Sequence, residues 1–252
     1  MMAGFDAIAN TFDQYRALPP GVPEAIRTAV WHAVGASVGA RVLDLGAGTG
    51  RIGKAFVEAG DNYVGADLSF AMLREFLVPG RTPMLAQSDG ELLPFREGTF
   101  HVALLMQVLS GARNVRRLLA EAGRMLAPEG ALIVGQTVAP PDGVDAQMKD
   151  RLREILAGLG VEAHRRGHGD ALDWLAARAR RRASVVAARW ISDRSPRGFL
   201  ERHRTGSRFA ALPEKIQHNA IEQLAVWAGL HFGSLDAAFS ESYSFELEVF
   251  EL

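Results

Sequence analysis

The chain of 252 residues contains no cysteine. That absence excludes thiolate nucleophiles, zinc–thiolate and iron–sulfur sites and any disulfide framework, so a metal would have to rest on His, Asp or Glu. No apolar run approaches the ~20 residues that a membrane-crossing helix requires. The opening Met1-Met2-Ala3-Gly4-Phe5-Asp6 also lacks the basic stretch and apolar core of a secretory leader. These features predict a soluble, cytoplasmic protein without a membrane segment. Internal repeats and low-complexity tracts are missing too, and 48% hydrophobic with 23% charged residues excludes disorder, collagen and coiled coil. The length suits one large domain, or a domain with a substantial insertion, whose core needs no staple.

The net charge of −1 conceals an asymmetry, because Arg151 to Arg208 holds 14 arginines, six acids and no lysine. Such a segment either forms solvated helix faces or focuses its field on phosphates, carboxylates or an acidic carrier. Only Trp174, Trp190 and Phe199 are interleaved in it, and two of them fall at core-like helical spacing. Sparse stacking rings argue against nucleic acid as a partner.

The first half alternates strand-like and helix-like segments, the pattern of a parallel sheet with helices on both faces. Ile26, Ala29, Val30, Ala33 and Val34 recur at helical spacing after Pro23. Strands are predicted at Arg41 to Leu45, Tyr63 to Ala66, Met84 to Ala86, Phe100 to Met106 and Ala131 to Gly135, the last pair nearly continuous in apolar residues. A helix from Val115 to Leu126 stops at Ala127-Pro128-Glu129-Gly130. Pro140-Pro141-Asp142-Gly143 then opens the basic segment. There Val144, Met148, Leu152, Ile155 and Leu159 form one helical stripe, and Leu172, Leu175, Ala179, Ala183, Val186 and Trp190 a second. Pro213 opens a helix through Leu224 and Trp227 that stops at Gly229 and returns the chain to the sheet. Tyr243 to Val249 alternates as a strand, and a strand-like stretch near His231 to Phe239 predicts that it closes an antiparallel hairpin.

The most informative segment is Val42-Leu43-Asp44-Leu45-Gly46-Ala47-Gly48-Thr49-Gly50-Arg51, a strand running into a glycine-rich turn and then a helix. A nicotinamide fingerprint can be laid on Gly48, Gly50 and Gly53, with Asp67 as the ribose acid. That register fits badly, because the apolar strand already ends at Leu45 and Asp44 stands where an apolar residue is expected. Counted from Gly46, the segment resembles the first motif of the class I S-adenosylmethionine-dependent methyltransferases: a strand, an acid, then G-x-G-x-G. Gly65-Ala66-Asp67-Leu68-Ser69 resembles the family's second-strand end, and Ser88-Asp89-Gly90-Glu91-Leu92-Leu93-Pro94-Phe95 its third motif. Phe100 to Leu109 is similar to the fourth strand, and Leu119 to Gly130 to the helix-turn before the fifth. The likeness covers about residues 40 to 137 and is closest to the small-molecule branch that includes ubiquinone-biosynthesis methyltransferases.

The resemblance implies S-adenosylmethionine as cofactor and S-adenosylhomocysteine as product. It puts the methionine part on Asp44 and the turn Gly46, Ala47, Gly48 and Gly50, and the ribose on Asp67 beside Leu68. Met72 would cover the adenine, and Asp89 and Gly90 would meet its edge. A ribose diol and an exocyclic amine do call for acceptor-only carboxylates. Phe12 to Pro20 is similar to a lid segment in which Tyr15 and Arg16 close over the cofactor, although Ala17 stands where a proline is usual. Ser110-Gly111 replaces a common histidine pair, leaving Gln107 as the polar residue facing the methionine moiety.

Methyl transfer from a sulfonium is an in-line displacement in which orientation and desolvation supply much of the rate, so a general base is optional. His164, His168 and His203 are candidate bases, although a lone His on a basic helix is more often solvent-exposed, and no catalytic residue or metal ligand is assigned. The expected fold is α/β, a doubly wound, Rossmann-like sheet of seven strands ending in an antiparallel hairpin. Residues 1–140 and 209–252 would bind the cofactor. Residues 141–208 would be a helical, Arg-rich insertion over the carboxyl ends of the strands, forming the acceptor cap. Its arginines suggest a small anionic acceptor, with Trp190, Phe199 and Tyr243 as pocket walls. An RNA or protein methyltransferase, or a non-catalytic binder of the cofactor, is the alternative.

Overall fold

The computed structural model describes residues 9–35, 39–161, 167–204 and 207–252. In chain order these form α1 (Ala9–Arg16), α2 (Val22–Val34), β1 (Arg41–Leu45), α3 (Gly53–Ala59), β2 (Asn62–Asp67), α4 (Phe70–Arg74), β3 (Met84–Gln87) and β4 (Phe100–Met106). Then come α5 (Val115–Met125), β5 (Leu126–Val138), α6 (Val144–Gly158), α7 (Gly167–Ala176), β6 (Arg180–Arg194), α8 (Pro196–Arg204), α9 (Ser207–Ala210), α10 (Glu214–Phe232) and β7 (Phe239–Glu251).

One sheet of seven strands takes the order β3-β2-β1-β4-β5-β7-β6. The first five strands pair in parallel, and β7 runs antiparallel between β5 and β6. The strand order reverses between β1 and β4, which opens a crevice at their carboxyl ends. Both strands are apolar on each face because both faces are covered. Val42, Leu104 and Ile133 pack with Ile26 and Val30 of α2 and Phe56 of α3. Leu43, Leu105 and Leu132 pack with Leu119 and Met125 of α5 and Leu175 of α7. A third apolar cluster lies apart from these two and joins Met148 and Leu152 of α6, Phe199 of α8, and Leu224 and Ala228 of α10.

The predicted second helical stripe is corrected beyond Ala176. Residues 180–194 form β6, an edge strand paired with β7 over Arg180↔Glu251 to Arg194↔Phe239. Irregularities between Arg181 and Ala183 and between Val186 and Ala188 shift its alternation. The predicted stripe thus mixes both faces of the strand, with Ala183 and Trp190 packed against the core and Val186 exposed, in a segment rich in helix-forming Ala and Arg. The expected local hairpin is corrected as well. Residues 231–232 complete α10, which ends at Gly233 rather than Gly229, and the antiparallel partner of β7 is reached through three intervening helices. The insertion is thus helical at α6, α7 and α8, but contributes a strand to the sheet.

Candidate functional site

The glycine turn is built by crowding. After β1, Gly46 takes a φ of 79°, and a Cβ there would stand 2.5 Å from Val108 Cγ2. Gly50 takes a φ of 80°, and its Cβ would meet the Phe76 ring at 2.6 Å. Only glycine combines that backbone with that space. The Gly46 and Ala47 amides donate to the Ala66 carbonyl at 2.7 and 3.1 Å, so the turn lies across the end of β2.

That crossing brings Asp67 beneath the turn. Its carboxylate accepts from the Gly48 amide and from the Ser69 amide, both at 2.8 Å. Ser69 in turn caps α4 by accepting from the Met72 amide at 3.1 Å. Leu68 is half-buried, Met72 is buried, and Ala47 is buried against Gly65.

Asp44 lies deeper. It is 3% exposed and accepts from the Tyr63 hydroxyl at 2.7 Å through Oδ2, while Oδ1 is buried without a hydrogen-bond partner. Burial pushes its carboxyl up to about 6, with the Tyr63 hydroxyl opposing the rise and Asp67 adding to it. A buried acceptor left unmatched is costly unless something donates to it. The sequence marks the acid but not its partner.

Helix α1 crosses the turn from the other side. Thr49 donates to Asp13 at 2.5 Å, and Arg51 donates to the Arg16 carbonyl and, at 2.7 Å, to Gln107 Oε1. Gln107, left-handed at φ 59°, passes the chain on to the Thr137 hydroxyl at 2.7 Å. The Arg16 and Arg51 guanidinium groups lie 5.5 and 5.2 Å from the Phe12 ring centroid. Burial, and then Arg16, lowers Arg51 to about 10, with Asp13 opposing. Tyr15 stands on α1, but its side chain lies outside the described residues.

Asp89 lies in the loop after β3. One oxygen accepts from the Glu91 amide at 3.0 Å and the other pairs with Arg113. Gly90 is needed there, since a Cβ would come within 2.8 Å of Leu118. Sequence reasoning misses Arg51, Asp13 and Arg113; a charged residue directly after the last glycine was the available signal for Arg51.

The structure therefore gathers Arg16, Asp44, Gly46, Ala47, Gly48, Gly50, Asp67 and Gln107 around one turn, with Asp89 and Gly90 in the loop after β3. Two expectations are corrected. His203 is not an exposed helix residue: it stacks on Phe199 at 5.1 Å and meets Phe209 at 5.3 Å, and burial with nearby cations lowers it to about 4. Phe199 belongs to the third core, while Trp190 stacks on Tyr243 at 6.0 Å. His164 and the His168 side chain lie outside the described residues. Among the described residues no group of three potential metal ligands occurs, and no helix is long and apolar enough to cross a membrane. Part of the Arg-rich segment is balanced in space, since Arg180 and Arg182 pair with Glu251 and Arg181 with Glu248 of β7.

Residues 43–134 match the family described as methyltransferase domain. The chain is 33% identical over 144 residues to the demethylmenaquinone methyltransferase of Renibacterium salmoninarum, a match covering 56% of this chain and 60% of that protein. It is 35% identical over 143 residues to the enzyme of the same name from Beutenbergia cavernae, covering 54% and 58%. The chain thus spans less than two thirds of these relatives' length. A solved structure from Anaeromyxobacter dehalogenans, described as a type II methyltransferase, superposes with a TM-score of 0.60 at 16% identity, covering 89% of this chain and 94% of that one. Another, from Anabaena variabilis and described as a methyltransferase of an antibiotic biosynthesis pathway, gives 0.58 at 15% identity, covering 87% and 95%. Both share the fold.

Proposed function

We propose that the protein is a class I S-adenosylmethionine-dependent methyltransferase that moves a methyl group from S-adenosylmethionine to a small-molecule acceptor, a reading supported by the match of residues 43–134 to the methyltransferase domain. The observation that carries this reading is the glycine turn lying across β2, with Asp67 held beneath it by two backbone amides. The donor set suits each part of the cofactor. Asp67 and Leu68 would hold the ribose, and Met72, Asp89 and Gly90 the adenine. Asp44 Oδ1, buried and without a partner, suits a cationic donor such as the methionine ammonium, beside Gly46, Ala47, Gly48 and Gly50. Arg16, Tyr15 and Gln107 would enclose the carboxylate end.

The sulfonium supplies an activated methyl group and a neutral thioether leaving group. The protein's part is to align the acceptor and exclude water. Helix α1 suits the second task, because the Thr49–Asp13 bond and the Arg51 bond to the Arg16 carbonyl tie it over the turn. We assign no general base. Residues 1–140, together with β6 and β7, would form the cofactor-binding body, and α6, α8, α9 and α10 the acceptor cap. The relatives' names, which give demethylmenaquinone as acceptor, support a small-molecule substrate. So does the pairing of Arg180, Arg181 and Arg182 with β7, which leaves less free charge for a polymer.

Calorimetric titration with S-adenosylhomocysteine, run beside NAD, tests the reading. Binding of the first ligand alone, weakened at least ~100-fold, or roughly 2.7 kcal/mol, in Asp67→Ala, is expected. A folded protein that binds neither ligand, or NAD instead, overturns it.

A further inference from the structure

A line of side chains runs from the ends of β4 and β5 to α1. Beyond the last β4–β5 pair, Met106↔Gly135, the backbone leaves β4 at Gln107, whose amide donates to the Gly135 carbonyl at 2.8 Å. Its φ of 59° is left-handed, a backbone that a side chain disfavours and that persists where surrounding contacts fix it. Two contacts hold it here. Gln107 Oε1 accepts from Arg51 Nη2, and Gln107 Nε2 donates to Thr137 Oγ1, both at 2.7 Å. Thr137 is fixed in turn by the pairing of β5 with β7, where it lies opposite Phe245.

Donor chemistry gives this line a direction. A guanidinium accepts nothing, so the Gln107 oxygen must face Arg51 and the amide nitrogen must face Thr137. Arg51 stays cationic at neutral pH, since burial and then Arg16 lower it only to about 10. Its charge polarises the amide and strengthens the bond to Thr137. Through its other terminal nitrogen the same guanidinium donates to the Arg16 carbonyl. Arg16 is the last residue of α1, and the last carbonyls of a helix have no partner within it. Arg51 therefore caps α1 from outside, and the cap stands on the sheet through Gln107 and Thr137.

Resting on the methyltransferase reading above, we propose that Arg51, Gln107 and Thr137 act as positioning residues, a brace that holds α1 over the bound cofactor from the ends of β4 and β5. The Thr49–Asp13 bond ties α1 at a second point, to the glycine turn itself, and does not pass through the brace. The two ties are therefore separable. Thr49 anchors α1 to the turn alone, whereas the brace makes the hold on α1 depend on a hydroxyl of β5, a strand that α1 reaches only through Arg51 and Gln107 in this line.

The test follows amide hydrogen exchange of α1 in the full chain by mass spectrometry, with and without S-adenosylhomocysteine. Thr137→Val keeps the shape of the side chain and removes the acceptor, and it should speed exchange of α1 at least ~threefold. Thr137→Ser keeps the oxygen and should restore the wild-type rate. Arg51→Gln should speed exchange at least ~tenfold. The double variant Arg51→Gln/Thr137→Val should exchange as Arg51→Gln does, because the line is already cut, whereas Thr49→Val should add its effect to that of Thr137→Val. S-adenosylhomocysteine should also leave Thr137→Val at least ~threefold faster than wild type in a chase with excess ligand. An unchanged α1 or unchanged ligand release in Thr137→Val, no rescue by Thr137→Ser, or additive effects of Arg51→Gln and Thr137→Val overturns the proposal. So does faster exchange throughout the sheet in Thr137→Val, which would assign the residue to general stability. Wild type that binds no S-adenosylhomocysteine overturns the cofactor reading, and the exchange rates without ligand then decide on the brace by themselves.

Discussion

Two regions of the molecule each bury a titratable side chain, and they do so with opposite sign. Beneath the glycine turn, burial raises Asp44 to about 6. In the helical cluster, burial and the neighbouring cations lower His203 to about 4. Folding favours the neutral form of both. Stability from Asp44 is full below its unfolded value of 3.8 and is lost as pH rises to about 6. Stability from His203 is full above 6.5 and is lost as pH falls to about 4. Each amounts to about 3 kcal/mol, so these two contributions oppose and largely cancel one another across the acid range. The difference lies in their uses. His203 packs between rings, whereas Asp44 keeps one oxygen unmatched beside the turn, a destabilised group of the kind found where a ligand binds.

The largest expected effect breaks the Asp44 side outright. A Cβ on Gly53 would come within 2.1 Å of the Tyr63 hydroxyl that supports Asp44. Overpacking and loss of a buried hydrogen bond together should destabilise Gly53→Ala by about 4 kcal/mol in urea unfolding. Gly233→Ala is the contrast: φ is 78° but nothing lies within 4 Å, so only the backbone term of about 1 kcal/mol applies. Equal losses at the two positions would contradict the crowding seen around the turn.

Asp44→Asn comes next. The amide keeps an oxygen for Tyr63 and never ionises, so above pH 6 the variant should be more stable than wild type by about 2–3 kcal/mol. Its profile should rise with pH between about 4 and 6.5, now reporting His203 alone. S-adenosylhomocysteine affinity should fall. A profile of the same shape as the wild type's would mean that Asp44 does not titrate in this range.

His203→Gln should uncover the other limb, a profile that falls from about pH 4 to 6, with a gain over wild type of about 2 kcal/mol at pH 5. Equilibrium unfolding at half-unit pH intervals would read both variants.

The contrast between these regions also separates what was legible from what was not. Around Asp44, strand periodicity, glycine spacing and the acids after β1 and β2 are local in sequence, so the fold from β1 to β5 and the ring of residues about the turn could be anticipated. The partners could not. Tyr63 reaches Asp44 across β2, and Asp13 reaches Thr49 from a helix 36 residues earlier. Around His203 the local signals pointed the wrong way. β6 is a bulged edge strand whose Ala and Arg residues favour helix, and its pairing with β7 is set by Glu248, Glu251 and a register more than 40 residues distant. His203 itself sits among arginines in sequence, and its burial comes from Phe209 and the third core.

The smallest effect tests whether the two regions are coupled. Arg16 stands on α1 beside the glycine turn, yet it is the largest charge lowering His203 after burial, and it is absent from the causes that move Asp44. Arg16→Gln should therefore move the His203 titration upward by a fraction of a pH unit, still short of its ordinary value because burial dominates. The Asp44 limb should stay where it is. Proton resonances of the His203 ring, followed through pH in wild type and variant, would read the first change, and acid-range unfolding the second. A His203 titration that does not move would place Arg16 too far from α8 to act on His203, and an Asp44 limb that moves would make the turn and the helical cluster one electrostatic unit.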